Sequence, residues 1–157
     1  MKRTLLLALA LIACGSDDGV GPNLEDIDFD PALEIDLSAM TRTASGLYFQ
    51  DLTVGDGVMA TAGNTVVVDY SGWLPNGTLF DSGTSSDWKN PSTGAHIPFI
   101  LGVGGVIAGF DEGVQGMREG GTRNLVIPPA IGYGAIAVSN IPANSVLIFR
   151  ITLTEIQ

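Results

Sequence analysis

The sequence predicts an α+β domain: five or six antiparallel strands and one short helix over residues 43–157. Three observations carry this. Over residues 65–74 Val66, Val68 and Tyr70 fall on one face and Thr65, Asp69 and Ser71 on the other, the period of a half-buried strand. Asn76-Gly77 follows at once, the pair that supplies two φ > 0 residues to a tight hairpin turn. Near the C-terminus Leu147, Phe149, Ile151 and Leu153 share one face of a last strand.

The elements follow in order. Leu47-Tyr48-Phe49-Gln50-Asp51-Leu52 reads as a strand, closed by Gly55-Asp56-Gly57. After the strand at 65–74, residues 78–81 return as its hairpin partner. Asn76-Gly77-Thr78 also matches a glycosylation sequon, but the turn reading has the mechanism. Residues 82–96 form a polar excursion containing Gly, Ser and Pro, and Phe99-Ile100-Leu101-Gly102 is another short strand. Residues 107–117 are the one helical stretch of the domain. Asp111 and Glu112 sit early in it, where the helix dipole favours negative charge. Gly109, Gly113 and Gly116 weaken it, so packing must hold it. Residues 122–127 are a strand stopped by Pro128-Pro129, and Ala143-Asn144-Ser145 leads into the last one.

Composition narrows the function. The chain has 157 residues, 45% of them hydrophobic and 15% charged, enough to bury one core of ordinary size. Seven basic against 17 acidic residues give a net charge of −10, which argues against nucleic acid as a partner. One Cys and one His exclude a disulfide framework and a Cys/His zinc site.

The first residues read as an address. Lys2 and Arg3 precede nine apolar residues at 5–13, the length of a signal-peptide core and far short of the ~20 a spanning helix needs. Leu11-Ile12-Ala13-Cys14, followed by Gly15-Ser16, resembles the bacterial lipobox, in which the Cys thiol is lipidated. The expected organisation is a lipoprotein signal peptide at 1–13, lipidated Cys14 with a flexible acidic tether at 14–42, and the folded domain at 43–157. Without Lys2 and Arg3, five basic residues remain against 17 acidic ones, a mature charge near −12 that anionic lipid repels. A covalent anchor, worth ~0.8 kcal/mol per buried CH₂, would then hold the chain to a membrane. Gly15 after the Cys resembles the outer-membrane sorting preference, so the expected location is the bacterial envelope, facing the periplasm. In the tether, Asp26, Asp28 and Asp30 lack the Gly and Glu spacing of an EF-hand loop and read as solvated linker. Leu33 to Leu37 are left open between linker, packed segment and short helical turn.

Familiar chemistry is missing. His96 reads as a solvated loop histidine, and Trp88 as a ring either packed on the local surface or free to touch a partner. Gly102-Val103-Gly104-Gly105 lacks the GxGxxG pattern and the Lys of a phosphate loop, and no GxSxG elbow is present. No metal or cofactor is called for. What remains is a supply of aromatic and branched residues beside turns, each of which singly reads as core.

A resemblance reweights them. Val68-Asp69-Tyr70-Ser71-Gly72-Trp73-Leu74 with Asn76-Gly77-Thr78-Leu79-Phe80-Asp81-Ser82 is similar to the first signature of FKBP-type peptidyl-prolyl cis-trans isomerases. Phe99-Ile100-Leu101-Gly102 and Val106-Ile107-Ala108-Gly109-Phe110-Asp111-Glu112-Gly113-Val114 resemble its central block. Met117, Gly120, Ile127-Pro128-Pro129, Tyr133-Gly134-Ala135 and the run from Ile141-Pro142-Ala143-Asn144-Ser145 to Phe149 complete it in order. The resemblance covers residues 43–157 and implies a strongly bent antiparallel sheet wrapped around the helix, with the site between them. It implies catalytic roles for Tyr70, Asp81, Ile107 and Tyr133, and a proline pocket of Phe80, Ile97, Phe99, Val106, Phe110, Ile141 and Phe149. Phe110 stands where most members carry Trp, leaving an apolar but smaller floor without an indole N–H. Residues 81–99 run longer than in minimal members.

The implied reaction needs no nucleophile. An X–Pro amide isomerises over a barrier of ~18–20 kcal/mol because twisting breaks its resonance. The planar form is the more polar, so a dry pocket favours the twisted one relative to water. Fixed donors, the Ile107 N–H and the Tyr133 hydroxyl, would hold the twisted carbonyls, and Asp81 would orient Tyr70 or the substrate. A 10⁴-fold acceleration needs about 5.5 kcal/mol of differential stabilisation. The partners implied are proline-containing polypeptides, FKBP-binding macrolides and, through the anchor, a membrane. Two other readings stand beside this one: a non-catalytic chaperone or peptide-binding lipoprotein using the same cleft, and a structural surface lipoprotein reusing the fold.

Overall fold

A computed structural model describes residues 22–84 and 98–157. Cys14, Trp88, His96 and Ile97 lie outside the described residues. Among the described residues seven strands form one antiparallel sheet: β1 (Thr41–Arg42), β2 (Tyr48–Thr53), β3 (Thr65–Trp73), β4 (Leu79–Gly83), β5 (Phe99–Ile100), β6 (Thr122–Ile127) and β7 (Leu147–Ile156). Their order is β1-β2-β6-β7-β3-β4, with β5 also paired to β3. The strand beyond the expected six is β1, whose two residues are too short to show alternation. The single α-helix among the described residues, α1, spans Ala108–Val114.

The helix is shorter than the 107–117 expected. Gln115 turns extended at ψ 135 and Gly116 takes φ +77, which ends it. The glycines that weaken it also dock it. A Cβ on Gly109 would stand 2.5 Å from Ile127, and one on Gly113 would collide with Leu125, so α1 lies with its backbone against β6. The hairpin after β3 also differs from the two-residue turn expected. It runs Leu74-Pro75-Asn76-Gly77, closed by the Gly77 N–H donating to the Leu74 carbonyl at 3.0 Å. Pro75 presets the second position, and only Gly77, at φ +81, is left-handed. Asn76 instead uses its side chain, accepting from the Thr78 N–H at 3.1 Å.

Two cores lie on the two faces of the sheet. The pairings Tyr48↔Val126↔Ile148↔Trp73 run across one face, and Phe49↔Leu125↔Phe149↔Gly72 across the other. The second face, with α1, carries the larger core, including Leu101, Val114, Leu125, Ile127, Leu147 and Ile151. The first face is covered by residues 24–40, which the sequence placed in a flexible tether. Leu33 and Met40 are buried there, with Leu24, Ile27, Phe29, Ile35 and Leu37 packed beside them. Three short 3-10 turns, Leu24–Asp26, Pro31–Leu33 and Leu37–Ala39, arrange these side chains. Asp30, read as solvated linker, acts as a cap, accepting from the Ala32 N–H, and Asp36 likewise accepts from the Ser38 N–H. The Asp30 N–H donates to the Pro75 carbonyl at 2.8 Å, tying the segment to the β3–β4 hairpin. No helix among the described residues is long and apolar enough to cross a membrane.

Candidate functional site

A hollow of about 280 Å³ opens between β3, the stretch from Pro98 to Ile107, α1 and the loop bearing Tyr133. Its floor is Phe110, the third residue of α1, buried at the centre of a ring cluster. Phe110 meets Phe149 edge-on at 5.1 Å, Tyr70 at 5.6 Å and Phe99 at 5.8 Å between centroids. Each contact tilts one ring's edge toward the next ring's face, the arrangement aromatic quadrupoles prefer.

Tyr70 and Asp81 come from paired strands. The Tyr70 hydroxyl donates to Asp81 Oδ2 at 2.7 Å, and the Ser82 N–H donates to Asp81 Oδ1 at 2.9 Å. Burial, and then the bond to Asp81, push the Tyr70 hydroxyl's pKa far above its ordinary value, so it stays a proton donor across the physiological range. Ile107 is the residue before α1, extended at φ −59 and ψ 145. Its carbonyl accepts from the Phe110 and Asp111 N–H groups, while its own N–H has no acceptor among the described residues. Tyr133 follows the 3-10 turn Pro129–Ile131 and is held by Gly134, whose N–H donates to the Pro129 carbonyl at 2.9 Å. The Tyr133 hydroxyl has no partner among the described residues, and Tyr133 lines the same hollow as Ile107.

The structure brings together Tyr70, Asp81, Phe99, Val106, Ile107, Phe110, Tyr133 and Phe149 around this hollow. It sets two other expected pocket residues back from the lining. Phe80 stands behind Phe149, edge-on at 5.5 Å, and Ile141 is buried in the core. Ile97 falls outside the described residues. Five lining residues were not among the expected pocket residues: Val66 and Val68, read only as a strand face, with Val67, Pro98 and Gly105. The three valines are buried in succession on β3, and beside them the β3–β7 register shifts, with the extra residue, Thr154, on β7. Such a bulge has no sequence mark here. No group of three potential metal ligands exists among the described residues.

A half-open aromatic hollow whose lining residues carry two unengaged donors suits a domain that binds an apolar segment of polypeptide through its carbonyls. The comparisons agree. Residues 57–154 match the family model described as FKBP-type peptidyl-prolyl cis-trans isomerase. The chain is 46% identical over 112 residues to an FK506-binding protein of Neisseria meningitidis serogroup B, covering 71% of this chain and 96% of that one. It is 43% identical over 117 residues to FK506-binding protein 4 of Mycosarcoma maydis, covering 74% of this chain and 29% of that one. Among solved structures it resembles FkpA from Escherichia coli, with a TM-score of 0.63 and 34% identity over 76% of this chain and 52% of that one. It also resembles AtFKBP13, with a TM-score of 0.61 and 35% identity over 74% of this chain and 97% of that one. The chain belongs to the FKBP-type peptidyl-prolyl cis-trans isomerases.

Proposed function

We propose that this hollow catalyses rotation about X–Pro bonds during the folding of bacterial envelope proteins, from a lipid anchor on Cys14. One observation carries the catalytic part. The Ile107 N–H and the Tyr133 hydroxyl, neither engaged by another described residue, belong to residues lining one aromatic hollow. A prolyl ring enters over Phe110, between Tyr70, Phe99 and Phe149, and sheds water. The planar amide loses more solvation than the twisted one, which lowers the barrier. The two donors bind the carbonyls on either side of the twisting bond, and Asp81 fixes the Tyr70 ring as a wall. No proton or covalent bond changes hands. The test is cis→trans exchange of a Leu-Pro or Phe-Pro peptide by the full chain. Catalysis by the wild type that falls with Phe80→Ala and Tyr133→Phe supports this assignment; equal rates remove it.

The relatives named for FK506 support a further part of the reading, that macrolides of that kind occupy the same hollow and inhibit. The anchor rests on the lipobox-like run ending at Cys14; incorporation of labelled palmitate, abolished by Cys14→Ser, tests it. The outer membrane's periplasmic face is the location the run implies. The second reading, a non-catalytic chaperone, draws on Val103 and Ile136. They are 65% and 70% exposed on the loops that carry Ile107 and Tyr133, apolar surface in position to hold unfolded chain. Aggregation suppression that persists when Phe80→Ala abolishes turnover would favour it.

A further inference from the structure

We propose that Asp111 is a positioning residue for the isomerisation: its carboxylate fastens the 102–107 loop to α1 and thereby sets where the Ile107 N–H stands above the Phe110 floor. The inference rests on the isomerase reading of the hollow and adds a residue that reading does not use.

Asp111 is 7% exposed, on the second turn's threshold of α1. Its Oδ1 accepts from the Gly102 N–H at 2.7 Å and its Oδ2 from the Gly104 N–H at 3.2 Å. Gly102 and Gly104 take φ +84 and +75, a left-handed backbone at alternate positions that brings two N–H groups onto one carboxylate. Glycine is required there because another residue strains at such φ.

The rest of the loop has little else to hold it. The chain before it is fixed by the Leu101 N–H donating to the Asn64 carbonyl at 2.9 Å. From Gly102 to Val106, the two bonds to Asp111 are the only ones made by backbone N–H groups to described residues. Gly105, Val106 and Ile107, which follow at once, line the hollow. No Lys or Arg among the described residues pairs with Asp111. A buried carboxylate is costly unless charge-assisted bonds satisfy it, and here both oxygens are spent on the loop. Phe110 and Asp111 are neighbours in the chain. One is the floor and the other holds the rim, so rim and floor move as one body. A displacement of the rim by ~1 Å is enough to cost 10²-fold in rate.

The test compares Asp111→Asn, Asp111→Glu and the full wild-type chain. Asn keeps one acceptor but turns an amide N–H₂ toward the Gly104 N–H, donor against donor. The expected result is a kcat at least tenfold lower with KM changed less than threefold, and faster exchange of the Gly104 amide hydrogen. Asp111→Glu, which keeps both oxygens, recovers at least half of the lost rate. A kcat within twofold of wild type for Asp111→Asn overturns the inference. So does a slower variant in which Gly102 and Gly104 stay as protected as before. If the Asn variant does not fold, the wild type alone decides. Its Gly102 and Gly104 amides must exchange at least tenfold more slowly than those of Val103 and Gly105, and equal exchange overturns the fastening. A wild type without isomerase activity refutes the functional reading and this catalytic role with it, whereas the exchange pattern judges the fastening by itself.

Discussion

Gly72 on β3 pairs with Phe149 on β7, and the space a side chain would need at that glycine is taken by aromatic rings. A Cβ there would stand 2.7 Å from Phe149 Cε1 and 2.7 Å from Phe80 Cζ. Phe80, though set back from the lining, therefore braces the wall ring that a prolyl group would touch. Gly72→Ala should part the two rings, cost about 1–3 kcal/mol as overpacking does, and weaken proline-peptide binding. Urea denaturation and peptide titration check this; unchanged values would mean the rings give way freely.

Tyr133→Phe should separate chemistry from folding. The hydroxyl has no described partner, so its removal should leave stability within ~0.5 kcal/mol while turnover falls about tenfold. A loss of stability equal to the loss of rate would instead make the hydroxyl a structural group.

Tyr70 gives a pH signature. Burial and the Asp81 bond raise its pKa above the ordinary ~10 of an unfolded tyrosine. Below that pH both states keep the proton, and Tyr70 adds no slope. Above it the unfolded chain releases the proton and the folded chain retains it, so stability falls as pH rises. The unfolding free energy of the wild type should decline more steeply above pH ~10 than that of Tyr70→Phe. Parallel curves would refute this.

The segment over the sheet's outer face should behave as core. Leu33 is 6% exposed there, and Leu33→Ala should cost about 2–4 kcal/mol in denaturant unfolding. A cost below ~1 kcal/mol would show the segment to be loosely held.

The long strands were legible because alternation survives in them. The strand at 122–127 was found with its ends, bounded by Gly121 and Pro128. The helix was overrun because its stop depends on Gly116 adopting φ +77, which composition alone does not announce. Residues 24–40 were read as tether, with only Leu33 to Leu37 left open to packing, because their apolar residues follow three tight turns, not one period. Most of the hollow's lining was legible through the family resemblance. Without it, Phe110 and Phe149 read only as core, and core is also what they are. What no local pattern shows is contact at long range. Asp51 bonds Arg123 at 2.7 Å across 72 positions, and that guanidinium also donates to the Gly113 and Gln115 carbonyls at the end of α1. Asp111 was read as a helix-dipole charge, and its hold on Gly102 and Gly104 emerges only in three dimensions.

Gly109 and Gly113 let the backbone of α1 press directly onto the Ile127 and Leu125 side chains of β6, so the depth of the bowl is gauged by two missing methyl groups. A methyl group at either position would lift the floor ring toward the mouth, so what the bowl admits is set from behind its wall.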